Sequence, residues 1–96
     1  MTETTIVQYR TKTEFADENQ RLIEAVMAAL AADKPAGPQY AAYRAADGVT
    51  FVHVVHGDGS VLADVPAFQE FQRGSGERVE TAPERFNLTL VGSYGS

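Results

Sequence analysis

The feature that most constrains this chain is an Asp-Gly pair, Asp47-Gly48, set between two runs rich in apolar and aromatic residues. Gln39 to Ala46 precedes it and Val49 to His56 follows it. An Asp-Gly pair in this setting is a strong hairpin signal, because a two-residue turn that matches strand twist needs positive φ at both central positions. Such a loop also sets the register: Ala46 faces Val49, Arg44 faces Phe51, Ala42 faces His53 and Tyr40 faces Val55. Side chains alternate along a strand, so Phe51, His53 and Val55 share one face with Tyr40, Ala42 and Arg44.

The elements around the hairpin follow from local pattern. Thr4 to Thr11 is β-branched and aromatic, without Gly or Pro, and reads as a strand. Thr11-Lys12-Thr13-Glu14 has capping-box spacing, and Asp17 and Glu18 place negative charge at the start of a helix. Phe15, Leu22, Ile23, Val26 and Leu30 then recur at helical spacing until Asp33-Lys34-Pro35-Ala36-Gly37-Pro38 ends the run. Gly57-Asp58-Gly59-Ser60 is a loop by composition. A second helix is expected from Ala67 to Val79, with Pro66 near its first turn and Gly74-Ser75-Gly76 loosening its middle. Arg85 to Tyr94 reads as a final strand. The order β-α-β-β-α-β is the ferredoxin-like split unit, an α+β fold in which a four-stranded antiparallel sheet carries both helices on one face.

At 96 residues the chain has room for one domain, spanning 1–96. Eight basic against thirteen acidic side chains leave a net charge of −5, which disfavours nucleic acid and anionic membrane surfaces as partners. There is no cysteine, so disulfides, thiolate catalysis and Cys-ligated metal centres are excluded. No run of apolar residues approaches membrane-spanning length, and Met1-Thr2-Glu3-Thr4-Thr5 lacks the basic start of a signal peptide. A soluble, cytoplasmic protein is expected.

The strands do not alternate cleanly between apolar and polar. Phe51 and Val55 oppose Val52 and Val54; Ile6 opposes Val7 and Tyr9; Phe86, Leu88 and Leu90 oppose Val91 and Thr89. Two helices cover only one face of a four-stranded sheet. The open face is therefore expected to meet a second copy, giving a homodimer in which Tyr9 and Tyr43 pack at the interface. The alternative is a monomer whose outer Thr and Tyr side chains keep that face wet.

Strand, capped helix, a Pro/Gly break, then Gly37-x-x-Tyr40-x-x-Tyr43-Arg44, a short turn and Phe51-Val52-x-Val54 resembles the antibiotic biosynthesis monooxygenase family over nearly the whole chain. The resemblance implies a dimeric α+β barrel. It also implies a cavity for an aromatic or apolar small molecule and, in the catalytic members, oxygenation of electron-rich phenols or quinols without a cofactor. The family's frequent third-strand Trp and second-helix His are missing, and the Asn, Trp and His set of its haem-degrading branch cannot be assembled. Many members have no known substrate, so a non-enzymatic ligand-binding or structural dimer is the alternative.

Candidate site residues follow from faces. Asn19 falls between Phe15, Leu22, Ile23 and Val26 on a helical wheel, inside the apolar stripe. A buried amide needs partners, either a strand backbone group or water, or a ligand carbonyl or oxyanion. Gln72 and Ser75 interrupt the side of the second helix defined by Phe68, Phe71 and Val79, either lining a cavity or belonging to a frayed surface helix. Matching to the family puts the His53 face beneath the helices. Phe51 would then line a cavity with Tyr40 to orient a ring, Arg44 to hold a phenolate or carboxylate, and His53 as general base or as a satisfied structural histidine. Arg44 has the further alternative of pairing with a carboxylate at the sheet edge. His56 lies three residues from His53, on the opposite face, so the two do not share a metal and no metal site is expected. Flavin and nicotinamide fingerprints are absent, so any oxygenase here needs a substrate that itself activates oxygen.

Overall fold

The computed structural model describes residues 4–34, 39–57 and 59–95. Strands β1 (Thr4–Arg10), β2 (Gln39–Arg44), β3 (Thr50–His56) and β4 (Glu84–Leu88) form one antiparallel sheet in the order β2-β3-β1-β4. Helix α1 (Ala16–Asp33) joins β1 to β2. After β3 come a 3-10 segment (Gly59–Asp64), helix α2 (Pro66–Arg73) and a single turn α3 (Ser75–Arg78). Both outer strands reach the sheet through crossovers. This is the ferredoxin-like arrangement of a split βαβ unit.

The hairpin pairs as its sequence requires, Arg44 with Phe51, Ala42 with His53 and Tyr40 with Val55. Its turn is built differently. Gly48 alone takes positive φ, at 82°, and donates its N–H to the Ala45 carbonyl. Asp47 stays at negative φ and uses its carboxylate instead, accepting from the Val49 and Thr50 N–H groups and the Thr50 hydroxyl. These bonds hold the exposed Asp47 carboxyl down at about 2. An aspartate that bonds forward to its own turn replaces the second left-handed residue.

The Thr11 capping box does not form. Thr11 is fully buried, and its N–H and hydroxyl both donate to the Val49 carbonyl. The chain enters α1 through a 3-10 turn at Thr13–Phe15, with no side-chain cap. At the other end, Lys34 adopts the left-handed conformation and its N–H bonds to the Leu30 carbonyl. Of the expected breaker, Asp33 to Pro38, residues 35–38 lie outside the described residues.

The expected second helix breaks at Gly74 into α2 and α3. The last strand ends at Leu88, so Leu90, Val91 and Tyr94 are exposed beyond the sheet instead of continuing it. Register divides the sheet faces. Val7, Tyr9, Phe51, His53, Tyr40 and Ala42 face the helices and pack with Ile23, Val26, Phe68 and Phe71. On the opposite face Ile6 sits between Val54 and Phe86, and Val52 lies between Gln8 and Tyr43. Tyr43, Phe86 and Leu88 there are exposed.

Candidate functional site

A cavity of about 640 Å³ opens between the helix-facing side of the sheet and the α2 region. The sheet supplies Val7, Tyr9, Tyr40, His53 and Val55 to its wall, and α2 supplies Phe68, Phe71 and Gln72. Asn19 reaches it from α1 and Ser75 from α3. The aromatic side chains brace one another. The Tyr40 and His53 rings stack at 5.7 Å, Phe68 meets Tyr40 edge-on at 6.5 Å, and Phe71 lies 5.6 Å from His53.

A continuous chain of polar contacts crosses this apolar surround. Arg78 Nε donates to Asn19 Oδ1 at 3.1 Å, and Asn19 Nδ2 donates to the Tyr9 hydroxyl at 2.9 Å. The Tyr9 hydroxyl contacts His53 Nε2 at 2.8 Å, and His53 Nδ1 contacts the Tyr40 hydroxyl at 2.5 Å. Arg78 also donates to the Phe71 carbonyl and stacks over the Phe71 ring, 5.2 Å from its centre. Among the described residues no buried side-chain N or O lacks a partner. That is what a polar group in an apolar interior requires.

Burial sets the protonation states. Desolvation pushes His53 down to about 4, so its imidazole is neutral at pH 7. Burial raises the Tyr9 phenol to about 12, against the lowering effects of Asn19 and the Arg78 charge. Tyr40 is raised further by burial and by its proximity to Tyr9. Both phenols therefore stay protonated.

Of the residues singled out in the sequence, Asn19, His53, Tyr40, Gln72 and Ser75 meet at one cavity. Arg44 and Phe51 do not line it. Arg44 lies at the sheet edge, bonded to Asp17, Gln20 and the Gly48 carbonyl, because its long side chain extends past the end of α1 rather than beneath it. Phe51 is buried under Tyr9, stacked at 5.8 Å, one layer below the cavity. Tyr9 is a correction of another kind. It belongs to the helix-facing network and not to the open face, where Tyr43 does stand. His56 lies on the open face and contacts the Thr4 hydroxyl.

Arg78 had no local signal in the sequence. It follows the Gly-Ser-Gly stretch, where a charged side chain reads as exposed. One clue was available: a buried Asn19 needs a donor for its carbonyl, and a basic residue after a loosened helix is a candidate. Among the described residues no three of His, Cys, Asp and Glu come together, and no helix is long and apolar enough to cross a membrane.

No protein-family model and no curated protein matches this sequence. Solved structures do. A provisionally named antibiotic biosynthesis monooxygenase from Nitrosomonas europaea superposes with a TM-score of 0.76 at 12% identity, over 98% of this chain and 94% of its own. The fold is that of the antibiotic biosynthesis monooxygenases. A second provisionally named member, from Chloroflexus aurantiacus, gives 0.73 at 12% identity over 99% of this chain and 98% of its own. A Pseudomonas aeruginosa protein gives 0.76 at 18% identity over 95% of each chain. The likeness is one of backbone, with fewer than one residue in five in common.

Proposed function

We propose that this chain forms a homodimer through the open sheet face, works in the cytoplasm, and binds an aromatic or otherwise apolar small molecule in the cavity of each subunit. Its activity would be cofactor-independent monooxygenation of electron-rich phenols or quinols. The observation that carries this reading is the cavity itself. Its volume of about 640 Å³ lies within the usual range of ligand sites. Its lining joins the rings of Tyr9, Tyr40, Phe68 and Phe71 and several aliphatic side chains to polar ones such as Asn19, His53, Gln72 and Arg85.

In such a reaction an anthrone and O₂ would give an anthraquinone and water, the substrate supplying the electrons. The chain's own residues would hold the ring against Phe68 and Phe71 and place its oxygen at Tyr40. Asn19 and His53 would act through Tyr9 and Tyr40, since their polar atoms are already bonded to other side chains. Arg44, at the sheet edge, has no part in it.

A second reading is a dimer that binds its ligand without transforming it. The saturation of both His53 nitrogens by tyrosines favours it, together with a histidine pushed down to about 4, a weak base at neutral pH. Oxygen uptake with a panel of hydroquinones and anthrones separates the two. Uptake that falls with His53→Ala and Asn19→Ala supports the monooxygenase. Absence of uptake throughout, or uptake untouched by both substitutions, leaves the binding protein.

A further inference from the structure

The polar chain has a direction, and the direction says what the cavity offers a ligand. A guanidinium only donates, so Arg78 fixes Asn19 with its oxygen towards the arginine and its NH₂ towards Tyr9. The Tyr9 oxygen thus accepts from Asn19, and its own hydrogen has His53 Nε2 as its remaining partner. A neutral imidazole has one donor and one acceptor. With Nε2 accepting, the proton sits on Nδ1 and is donated to the Tyr40 oxygen. The Tyr40 hydrogen is then the last in the series, and the ring that carries it lines the cavity. The opposite tautomer would leave the buried Tyr9 hydrogen with no acceptor in the network.

Charge reinforces this. The chain carries thirteen acidic and eight basic side chains, yet no Asp or Glu is among the described residues that line the cavity, and Arg85 is. Arg78 is buried one side chain behind the wall, through Asn19 and through the Phe71 ring. Neither ion pair of the described residues involves Arg78 or Arg85. Lining residues that, among those described, include no carboxylate, with a buried guanidinium behind them, favour negative charge.

The geometry points to an aromatic oxyanion as the ligand, a phenolate or an aryl carboxylate, with its oxygen accepting from the Tyr40 hydroxyl and its charge offset by Arg78 through the one-way chain. This rests on the ligand-binding half of the reading above and not on oxygenation. Tyr40 is the ligand contact; His53, Tyr9, Asn19 and Arg78 are positioning residues. Hydrogen bonds aligned head to tail polarise one another, so the Tyr40 hydroxyl becomes a stronger donor than an isolated phenol.

The test uses three chromophoric probes on the intact protein: 4-nitrophenol, 4-nitrobenzoate and the uncharged 4-nitroanisole. Spectrophotometric titration should show 4-nitrophenol bound as its anion, its acidity raised about tenfold or more by the protein, with Tyr40→Phe or Arg78→Met returning it towards the free value. The 4-nitrobenzoate arm tells carboxylate from phenolate: binding at least about tenfold tighter than 4-nitroanisole, without phenolate binding, assigns the anion to a carboxylate. Equal or tighter binding of 4-nitroanisole overturns the inference, and so does failure of all three probes to bind. Arg78→Met may be replaced as a readout by nitrogen NMR of the wild-type protein, which should find the His53 proton on Nδ1; a proton on Nε2 overturns the one-way chain. Loss of oxygen uptake alone, with phenolate bound, would sink the monooxygenase and leave this inference standing.

Discussion

Replacing Asn19 by leucine breaks the polar chain at its middle while keeping the branch point and reach of the side chain, two methyl groups taking somewhat more space than the amide. Asn19 is fully buried, so its lost bonds cannot be made up by water. Arg78 loses a charge-assisted bond, worth about 1.5–3 kcal/mol, and Tyr9 loses a neutral one, worth about 1 kcal/mol. Leucine returns about 1–2 kcal/mol through apolar burial and relief of amide desolvation. The net expectation is a loss of about 2 kcal/mol. Urea unfolding of a domain this size has a slope of about 1 kcal/mol per molar, so the midpoint should fall by about 2 M. The companion variant Asn19→Leu with Arg78→Met removes both ends of the broken bond. The cycle of single and double variants should show a coupling of at least about 1 kcal/mol, because no buried guanidinium remains to be stranded. An Asn19→Leu protein as stable as the parent, or a cycle that is additive, would refute the claim that this amide holds the network together.

Three further expectations follow from the same structure. His53 is depressed to about 4 from an ordinary 6.5, so above pH 6.5 both folded and unfolded forms are neutral there and it has no effect on stability; as pH falls from 6.5 to 4 the unfolded chain takes the proton first and stability drops by about 3 kcal/mol, a slope that denaturation at several pH values should lose in His53→Gln. Phe86 sits beside Ile6 on the apolar open face, so Phe86→Asp should turn the proposed homodimer into a monomer in sedimentation velocity; a parent already monomeric at every concentration, or a variant that stays dimeric, would refute that use of the face. Gly48 stands at φ 82°, where a side chain costs about 1–2 kcal/mol, so Gly48→Ala should lower the melting temperature by about 4–8 °C or more and Gly48→Asn by less.

The hairpin was legible because a turn and two runs of strand residues sit next to each other in the chain, and a two-strand register needs nothing further away. Asn19 was legible for a similar reason, since helical spacing alone puts it in the apolar stripe. What the sequence could not convey was which long-range partner each side chain meets. Tyr9 looked like an interface residue because the apolar residues of β1 occur on both faces, and only pairing with β3 assigns Val7 and Tyr9 to the helix side. Arg44 shares a face with His53, as its spacing requires, but a side chain that long at the end of a strand can leave the face it starts from. Thr11 has cap spacing and is used instead to tie the end of β1 to Val49. Arg78 is joined to Asn19 across 59 positions of sequence, a separation at which local pattern carries no information.

The cavity is assembled from two sources that answer to different demands. The floor, with Tyr9, His53 and Tyr40, is carried by hydrogen-bonded strands, and any change there must satisfy several buried partners at once. The roof side, with Phe68, Gln72 and Ser75, comes from a short helix and the turn after its break, and none of these three belongs to the polar chain. Altered specificity should therefore be cheapest to obtain from the roof. Libraries confined to positions 68, 72 and 75 should return proteins of near-parental stability that accept differently shaped rings, whereas equal variation at 9, 53 and 40 should return mostly less stable ones. If the cavity binds the proposed ligands, the same asymmetry would let a fold of this size take on new ones while keeping one unchanged means of holding their oxygen.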